Sequence, residues 1–296
     1  MLLEANARDT IHLITADGKT IGLPVYQLPQ SREYGEGTHF ADLTAFTRRQ
    51  HLAGAAIVPD SVDGYLFMCT VAGVVKRVKL ADLPGINSDP TTVIRVDKND
   101  SLMWARTTTG EEEVLLASAF GQLIRFKESD VRSMGLPAGG VAGMKLKGDE
   151  DGIVACDLAS SGDHVWSVTD TGLAKASPMD EYPVQSRHGQ GVVNVKMPAE
   201  ANEVVSMVVA EEKTEVIVVT SIGGARKARI DKGVVGRRSL KPKAVVRVGE
   251  RTRVIAALVG SKRADVGSVD EEDAEPTQMA LLKETGKDKK KAKKKK

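Results

Sequence analysis

Cationic side chains recur at a fixed distance after a turn glycine, and fixed positive charges of this kind can bind phosphate. In four places Lys or Arg lies three or four residues past a glycine that follows an apolar run, whereas Gly18 is followed only by Lys19. Duplex DNA carries one phosphate charge per about 1.7 Å of axis, so a regular series of cations suits it. A single strand-edge cation is more simply explained as a guard against edge pairing, but the recurrence favours phosphate binding. The cations are Lys76, Arg77, Arg125, Lys175, Arg226 and Lys227.

Catalytic and metal chemistry have no comparable pattern in the sequence. The five histidines show no metal-ligand spacing to cysteines or carboxylates, and there is no Gly-x-x-x-x-Gly-Lys-Ser/Thr phosphate loop. No cluster of carboxylates, histidines and an activated serine recurs, which disfavours a hydrolase. We therefore expect no enzymatic activity from the chain alone, no metal and no cofactor.

The charge of the chain is nearly balanced overall but concentrated locally. The 296 residues carry a formal net charge of +2, yet residues 221–253 hold eleven basic residues and two acidic ones. Aromatic residues make up only 4% of the chain, which favours contact with a duplex backbone over stacking of single-stranded bases. No apolar run is long enough to span a membrane, and Cys69 and Cys156 lie in apolar runs typical of buried thiols. These features predict a cytoplasmic protein.

The elements that position the cations belong to an internal repeat of about fifty residues. Five apolar runs each end a few residues before a glycine, and the glycines are 55, 48, 51 and 51 positions apart. Each glycine suits a tight hairpin that needs a positive φ, and a second β-like run follows it. The turn glycines are Gly18, Gly73, Gly121, Gly172 and Gly223.

The remainder of each repeat predicts two more short strands after a glycine-rich link. One set is predicted at residues 143–146, 192–197 and 244–248, and the other at 152–158, 204–210 and 254–259. Four short strands per unit without an amphipathic helix predict an all-β, propeller-like array of five four-stranded blades over residues 9–260. An ordinary β-sandwich with accidental spacing is the alternative.

Residues 261–296 predict a disordered, charged tail rather than a sixth blade. Residues 261–275 hold two basic and six acidic residues, and residues 276–296 hold nine lysines against two acids. One hypothesis is that Lys287–Lys296 grips phosphates while Asp270–Glu275 competes for the basic surface. The alternative is a tail that only aids solubility.

The central segment resembles a known family. Residues 121–135, continuing through 140–146, closely resemble the C-terminal domain of DNA gyrase A and of its topoisomerase IV relative. Similar stretches lie at 25–29, 63–70 and 180–196, so the resemblance covers nearly all of residues 9–260. It implies the β-pinwheel fold, in which blades exchange strands, and a nucleoid-associated role in bending duplex DNA for a type II topoisomerase. It also implies breakage-reunion and ATPase partner subunits, since the cleaving tyrosine of the family lies in a region that this sequence does not contain.

Two departures from the family pattern limit what the resemblance implies. Gyrase domains have six blades, with a Gln-Arg-Arg-Gly-Gly-Lys-Gly motif in the first, whereas five units are visible here. Residues 185–191 match four of the seven motif positions but lie in the fourth unit, and residues 30–37 carry Glu33 and Glu36. Duplex bending is therefore expected, without support for tight chiral wrapping. Blade number favours a topoisomerase IV role and residue similarity a gyrase role.

The residues expected to contact DNA combine the cations after the turn glycines with the basic cluster near the C-terminus of the repeats. A propeller that binds acidic protein partners through the same surface remains the alternative function. The expected DNA-binding residues are Lys76, Arg77, Arg125, Lys127, Lys175, Arg187, Arg226, Lys227, Arg229, Arg237, Arg238, Lys241 and Lys243.

Overall fold

The computed structural model describes residues 3, 5–30, 37–58, 63–86, 89–231, 233–249 and 251–259. The predicted tail, residues 261–296, lies outside this part of the chain. Antiparallel β-sheets dominate the described residues, so the predicted all-β class is confirmed.

Five β-hairpins form where the sequence places an apolar run on each side of a glycine. The turn glycines have φ between 77° and 81°, a conformation that glycine adopts without a steric penalty. The paired strands are β1 (Thr10–Thr15) with β2 (Lys19–Pro24), β4 (Tyr65–Thr70) with β5 (Val74–Lys79), β8 (Glu113–Ser118) with β9 (Gln122–Lys127), β12 (His164–Thr169) with β13 (Leu173–Pro178), and β16 (Glu215–Thr220) with β17 (Ala225–Arg229).

A third strand pairs with the first strand of each hairpin and gives five sheets, which we number as blades 1 to 5 in chain order. All five pairings are antiparallel. These strands are β3 (Leu52–Val58), β7 (Leu102–Thr108), β11 (Ile153–Leu158), β15 (Val204–Ala210) and β19 (Val254–Val259).

The fourth strand of a blade comes from the next repeat. We name the segments between each hairpin and its third strand link 1 (residues 25–51), link 2 (80–101), link 3 (128–152), link 4 (179–203) and link 5 (230–253). Each of links 2 to 5 adds a two-residue strand to the second hairpin strand of the preceding blade. These strands are β6 (Thr91–Thr92), β10 (Val141–Ala142), β14 (Val192–Val193) and β18 (Lys243–Ala244).

The donated strands differ from the prediction in place and length. The strand predicted at residues 143–146 is wrong, because pairing stops at Ala142, and the strands predicted at 192–197 and 244–248 are too long. Blade 5 has three strands among the described residues, in the order β17-β16-β19, rather than the predicted four. Within the part of the chain that the structure describes, no hairpin or link follows β19.

The hydrophobic core lies between consecutive blades. Because successive side chains of a strand point to opposite faces, a central hairpin strand contributes to two cores. In β4, for example, Leu66 and Met68 pack against blade 1, whereas Phe67 and Cys69 pack against blade 3. This arrangement explains the continuous apolar runs in the sequence. Cys69 and Cys156 are free and buried, as predicted.

Helical structure within the described residues is confined to six 3-10 turns of three residues each. None of these helices is long or apolar enough to cross a bilayer. They are Val25–Gln27, Phe40–Asp42, Leu80–Asp82, Glu128–Asp130, Ala159–Ser161 and Met179–Glu181.

Candidate nucleic-acid interface

Each of the first four turn glycines holds the link that donates the fourth strand. The carbonyl oxygen of Gly121, for example, accepts hydrogen bonds from the backbone N–H groups of Asn194 (2.8 Å) and Val195 (3.1 Å) in link 4. Gly18, Gly73 and Gly172 accept equivalent bonds from links 2, 3 and 5.

Close approach of the link explains why these turn positions must be glycine. A Cβ on Gly121 would lie 2.3 Å from the carbonyl oxygen of Val195, and one on Gly172 would lie 2.2 Å from that of Val246. Glycine is therefore needed at these positions for two reasons, the positive φ and the close contact with the link. Each link is thereby fixed at the same place on its blade.

An exposed cation directly follows the link residue that packs on the turn glycine. The packed residues Ile94, Met144, Val195 and Val246 are all buried, whereas the next residue in each link is exposed. We name these exposed residues the link cations. They are Arg95, Lys145, Lys196 and Arg247.

The sequence prediction missed the link cations, although the sequence contains their signal. Their spacings of 50, 51 and 51 residues match the period of the turn glycines. They occupy equivalent positions in consecutively packed blades, and we call this set the row of link cations. Lys196 also lines a groove of about 720 Å³ together with Lys241 and Arg253.

Two cations that were expected at the surface are buried, so their predicted exposure is wrong. Lys76 is 0% exposed, and its Nζ donates to the carbonyl oxygens of Val93 (2.6 Å), Leu136 (2.6 Å) and Ala138 (2.9 Å). Burial and the nearby Arg95 guanidinium lower the pKa of Lys76 to about 8. Its ammonium group therefore remains largely charged at neutral pH and fixes link 3 instead of facing solvent.

Lys175 has the same role in blade 4. It is 3% exposed, and its Nζ donates to the carbonyl oxygens of Arg237, Arg238 and Leu240 in link 5. Burial, followed by the Arg238 guanidinium, lowers its pKa to about 8. The turn-proximal lysines therefore hold links in place.

The arginines at the neighbouring hairpin position are also engaged within the protein. Arg125 donates from Nε and Nη2 to the same carboxylate oxygen of Glu113, and from Nη1 to the carbonyl oxygens of Met179 and Tyr182 in link 4. Arg77 lies 4.4 Å above the ring centroid of Tyr65. The predicted exposed stripe is thus absent at these two described positions.

Two predicted arginines connect neighbouring links. Arg187 donates to the carbonyl oxygen of Ala142 (3.0 Å), and Arg238, 51 residues later, donates to that of Val193 (2.7 Å). Each acceptor belongs to a donated strand. Both guanidinium groups are partly exposed, so the contacts fix the links without removing the charges from the surface.

The remaining predicted residues are exposed, most of them in blade 5 and link 5. Lys227 and Arg229 contact Glu215 at 3.2 and 3.7 Å, and Lys243 donates to the carbonyl oxygen of Gly233. Ion pairs between exposed groups contribute little stability, so these cations remain available to a polyanion. The exposed residues are Lys127, Arg226, Lys227, Arg229, Arg237, Lys241 and Lys243.

Comparison with known proteins identifies the repeat. Residues 64–109, 112–160 and 163–211 match the family model described as "DNA gyrase C-terminal domain, beta-propeller". Each stretch coincides with the hairpin and third strand of one blade, namely blades 2, 3 and 4. The chain belongs to this family.

Relatives of this gyrase C-terminal domain family extend the similarity over most of the chain. The DNA gyrase A protein of Salmonella typhimurium is 31% identical over 255 residues, which is 86% of this chain and 29% of that protein. The DNA gyrase A protein of Mycobacterium bovis is 29% identical over 276 residues, or 92% of this chain and 33% of that protein. The chain therefore spans about a third of the length of these relatives.

Solved structures of gyrase-type domains confirm the β-pinwheel fold. The crystal structure of the C-terminal domain of DNA topoisomerase IV superposes with a TM-score of 0.79 and 28% identity, covering 88% of this chain and 81% of that one. A DNA gyrase A C-terminal domain gives a TM-score of 0.70 at 19% identity, covering 86% and 83%.

Proposed function

We propose that this chain binds and bends duplex DNA without base specificity, as the C-terminal accessory part of a bacterial type II DNA topoisomerase. Breakage-reunion and ATPase subunits supply the chemistry, and this chain holds a DNA segment for them. The site of action is the nucleoid in the cytoplasm. No cofactor takes part in the binding.

The row of link cations is the observation that carries this proposal. Four exposed cations at equivalent positions of consecutive blades present charge to a backbone that is itself periodic. Contacts of this kind position DNA without reading its sequence. The exposed cations of blade 5 and link 5 extend the same electrostatic surface.

The placement of aromatic residues supports duplex over single-stranded DNA. Trp166, Tyr182, Phe67 and Phe126 are fully buried. Among the described aromatic residues only Tyr26 and Phe120 are exposed, so no series of exposed rings accompanies the link cations. Proteins that bind single strands usually combine a basic groove with exposed aromatic side chains.

The test is the salt dependence of duplex binding by a variant with Gln at all four link cations. Binding of a random-sequence 48-bp duplex is measured by fluorescence anisotropy between about 50 and 200 mM salt. Each lost phosphate contact should reduce the slope of log K against log salt by about 0.9, so the slope should fall by about 3 to 4. Affinity should fall equally for duplexes of different sequence.

A variant with Gln at four other exposed cations is the control for net charge. Equal losses in the two variants would show that total charge, rather than the row, governs binding. Failure of the wild-type protein to bind duplex would overturn the function itself. The control positions are Arg8, Arg49, Lys98 and Arg132.

A further inference from the structure

Two grooves occupy equivalent places along the row of link cations. Each lies beside the hairpin turn of one blade, between the end of one link and the segment around the donated strand of the next link. We name them groove 2–3, between links 2 and 3, and groove 4–5, between links 4 and 5. Arg95 lines the first and Lys196 lines the second, so a duplex that follows the row crosses both grooves.

The two grooves differ in size and in lining. Groove 4–5 has a volume of about 720 Å³, within the range of about 300 to 1,000 Å³ that is usual for ligand sites, whereas groove 2–3 has about 250 Å³. Apolar side chains, among them Leu173, Met197 and Val248, line much of groove 4–5. Apolar walls lower the local dielectric constant, which strengthens the attraction between the cations of this groove and an anion.

The two grooves also have opposite net charge among the described residues that line them. Groove 4–5 has three cations and one acid, whereas groove 2–3 has one cation and two acids. A phosphate group is therefore attracted to the first groove and disfavoured in the second. The charged residues are Lys196, Lys241, Arg253 and Glu200 in groove 4–5, and Arg95, Asp97 and Asp100 in groove 2–3.

Part of this charge difference comes from one position in the donating link. Lys241 lies two residues before the donated strand β18 and is exposed. The residue two positions before β10 is Gly139, which contributes no side chain to groove 2–3. The corresponding residues of links 2 and 4 are Asp89 and Gln190, so only link 5 has a cation at this position.

A buried carboxylate positions the third cation of groove 4–5. Asp170 is 4% exposed, and its Oδ2 lies 3.4 Å from Arg253 Nε. The same carboxylate accepts hydrogen bonds from the backbone N–H (3.1 Å) and the side-chain amide (2.9 Å) of Asn202, so the carboxylate is itself fixed. The Arg253 side chain is 46% exposed, which leaves its guanidinium group accessible to a second anion at the groove.

We propose that groove 4–5 anchors the duplex, with a backbone phosphate bound between Lys196, Lys241 and Arg253. This inference rests on the proposed function and adds a direction to it. The duplex is held most tightly between links 4 and 5 and less tightly towards link 2, where two acids line the equivalent groove. A duplex too short to cover the whole row therefore occupies the end of the row at link 5.

Single-charge variants of the full-length chain test the anchor with an 8-bp hairpin stem. Lys241→Gln should reduce the slope of log K against log salt by about 0.9 and weaken binding several-fold, because it removes one phosphate contact. Lys98→Gln removes an exposed cation next to Asp97 and should weaken binding by less than about twofold. Both lysines are exposed, so both variants should fold as the wild type does.

The wild-type protein distinguishes failure of the anchor from failure of the function. Equal losses in the two variants, with the wild type binding duplex, would overturn the anchor and leave the proposed function intact. Absence of duplex binding by the wild type would overturn the function, and the anchor with it.

Photo-cross-linking of the full-length chain tests where the short duplex lies. Ala199→Cys places a thiol in groove 4–5, and Asn99→Cys places one between two residues that line groove 2–3. Both positions are exposed and the native Cys69 and Cys156 are buried, so a benzophenone maleimide labels the new thiol. The 8-bp stem should cross-link several-fold more to the Ala199→Cys protein, whereas a 48-bp duplex should cross-link to both. Equal or reversed yields with the 8-bp stem would overturn the anchor.

Discussion

Cations at equivalent positions of different blades differ in burial, because the burial of each depends on residues that are distant in the sequence. Lys175 is buried beneath link 5, whereas Arg226 at the same place in blade 5 is exposed. The carbonyl groups that surround Lys76 and Lys175 include ones from residues about 60 positions later. Sequence spacing correctly identified the recurrence of these cations but not their burial, because burial is decided by a link from the next repeat.

Replacement of a buried lysine should destabilise the protein without a direct loss of DNA contact. Lys76→Met removes the Nζ donor from three backbone carbonyl groups, of which only that of Ala138 keeps another bond, from the Arg95 N–H; the free energy of unfolding should fall by about 3 kcal/mol. Arg226→Met, at the equivalent exposed position, should change it by less than about 0.5 kcal/mol. Urea denaturation measures both, and equal costs would contradict the assigned role of Lys76.

A buried histidine should make the protein sensitive to acid. His12 is 2% exposed, and burial lowers its pKa to about 4 from 6.5. Between these values the unfolded chain binds more protons than the folded one, so stability is complete above about pH 6.5 and falls as the pH drops towards 4. The loss attributable to His12 is about 3 kcal/mol, from about 1.36 kcal/mol per pKa unit.

The variant His12→Gln isolates this contribution from that of the carboxylates. The difference in unfolding free energy between wild type and variant should depend on pH in the range 4 to 6.5 and be constant above it. Urea denaturation at several pH values measures the difference. A difference that stays constant down to pH 4 would show that folding does not lower the pKa of His12.

At the scale of elements, hairpins were predictable and donated strands were not. A hairpin is encoded locally by apolar runs and a turn glycine, so all five appear where the sequence placed them. The donated strands have only two residues each and pair with a different repeat, so their local sequence carries little strand signal. The link cations were missed for the same reason, since their position is fixed by contact with the preceding blade.

Alanine at two turn glycines should separate the cost of backbone conformation from that of link contact. Gly121 and Gly223 have nearly equal φ values of 77° and 79°, so the conformational cost of Ala is about 1 to 2 kcal/mol at both. At Gly121 the new Cβ also lies 2.3 Å from the carbonyl oxygen of Val195, which displaces link 4. Gly121→Ala should therefore cost at least about 1 kcal/mol more than Gly223→Ala in thermal or urea unfolding. Equal costs would mean that link 4 can shift without loss.

At the scale of the whole molecule, strand donation connects the blades in series. Each of links 2 to 5 belongs to one repeat in sequence and completes the sheet of the preceding one. Each of the four main hydrophobic clusters likewise lies between one blade and the next blade in chain order. The position of each link cation relative to the next is therefore set by the packing of neighbouring sheets, which makes the row a property of the assembled blades.

The length of duplex needed for full binding should report the length of this row. Packed sheets lie about 10 Å apart, so the row from link 2 to link 5 spans at least about 30 Å. A hairpin stem of 8 bp is about 27 Å long and should engage only part of it, at 3.4 Å per base pair. The slope of log K against log salt should therefore be smaller for the 8-bp stem than for 24-bp and 48-bp duplexes. If DNA follows successive blades, energy transfer between dyes at the two ends of the 48-bp duplex should also rise on binding. Equal slopes at all lengths would instead place binding at one local site, such as the basic cluster of residues 221–253, and would remove the row from the mechanism.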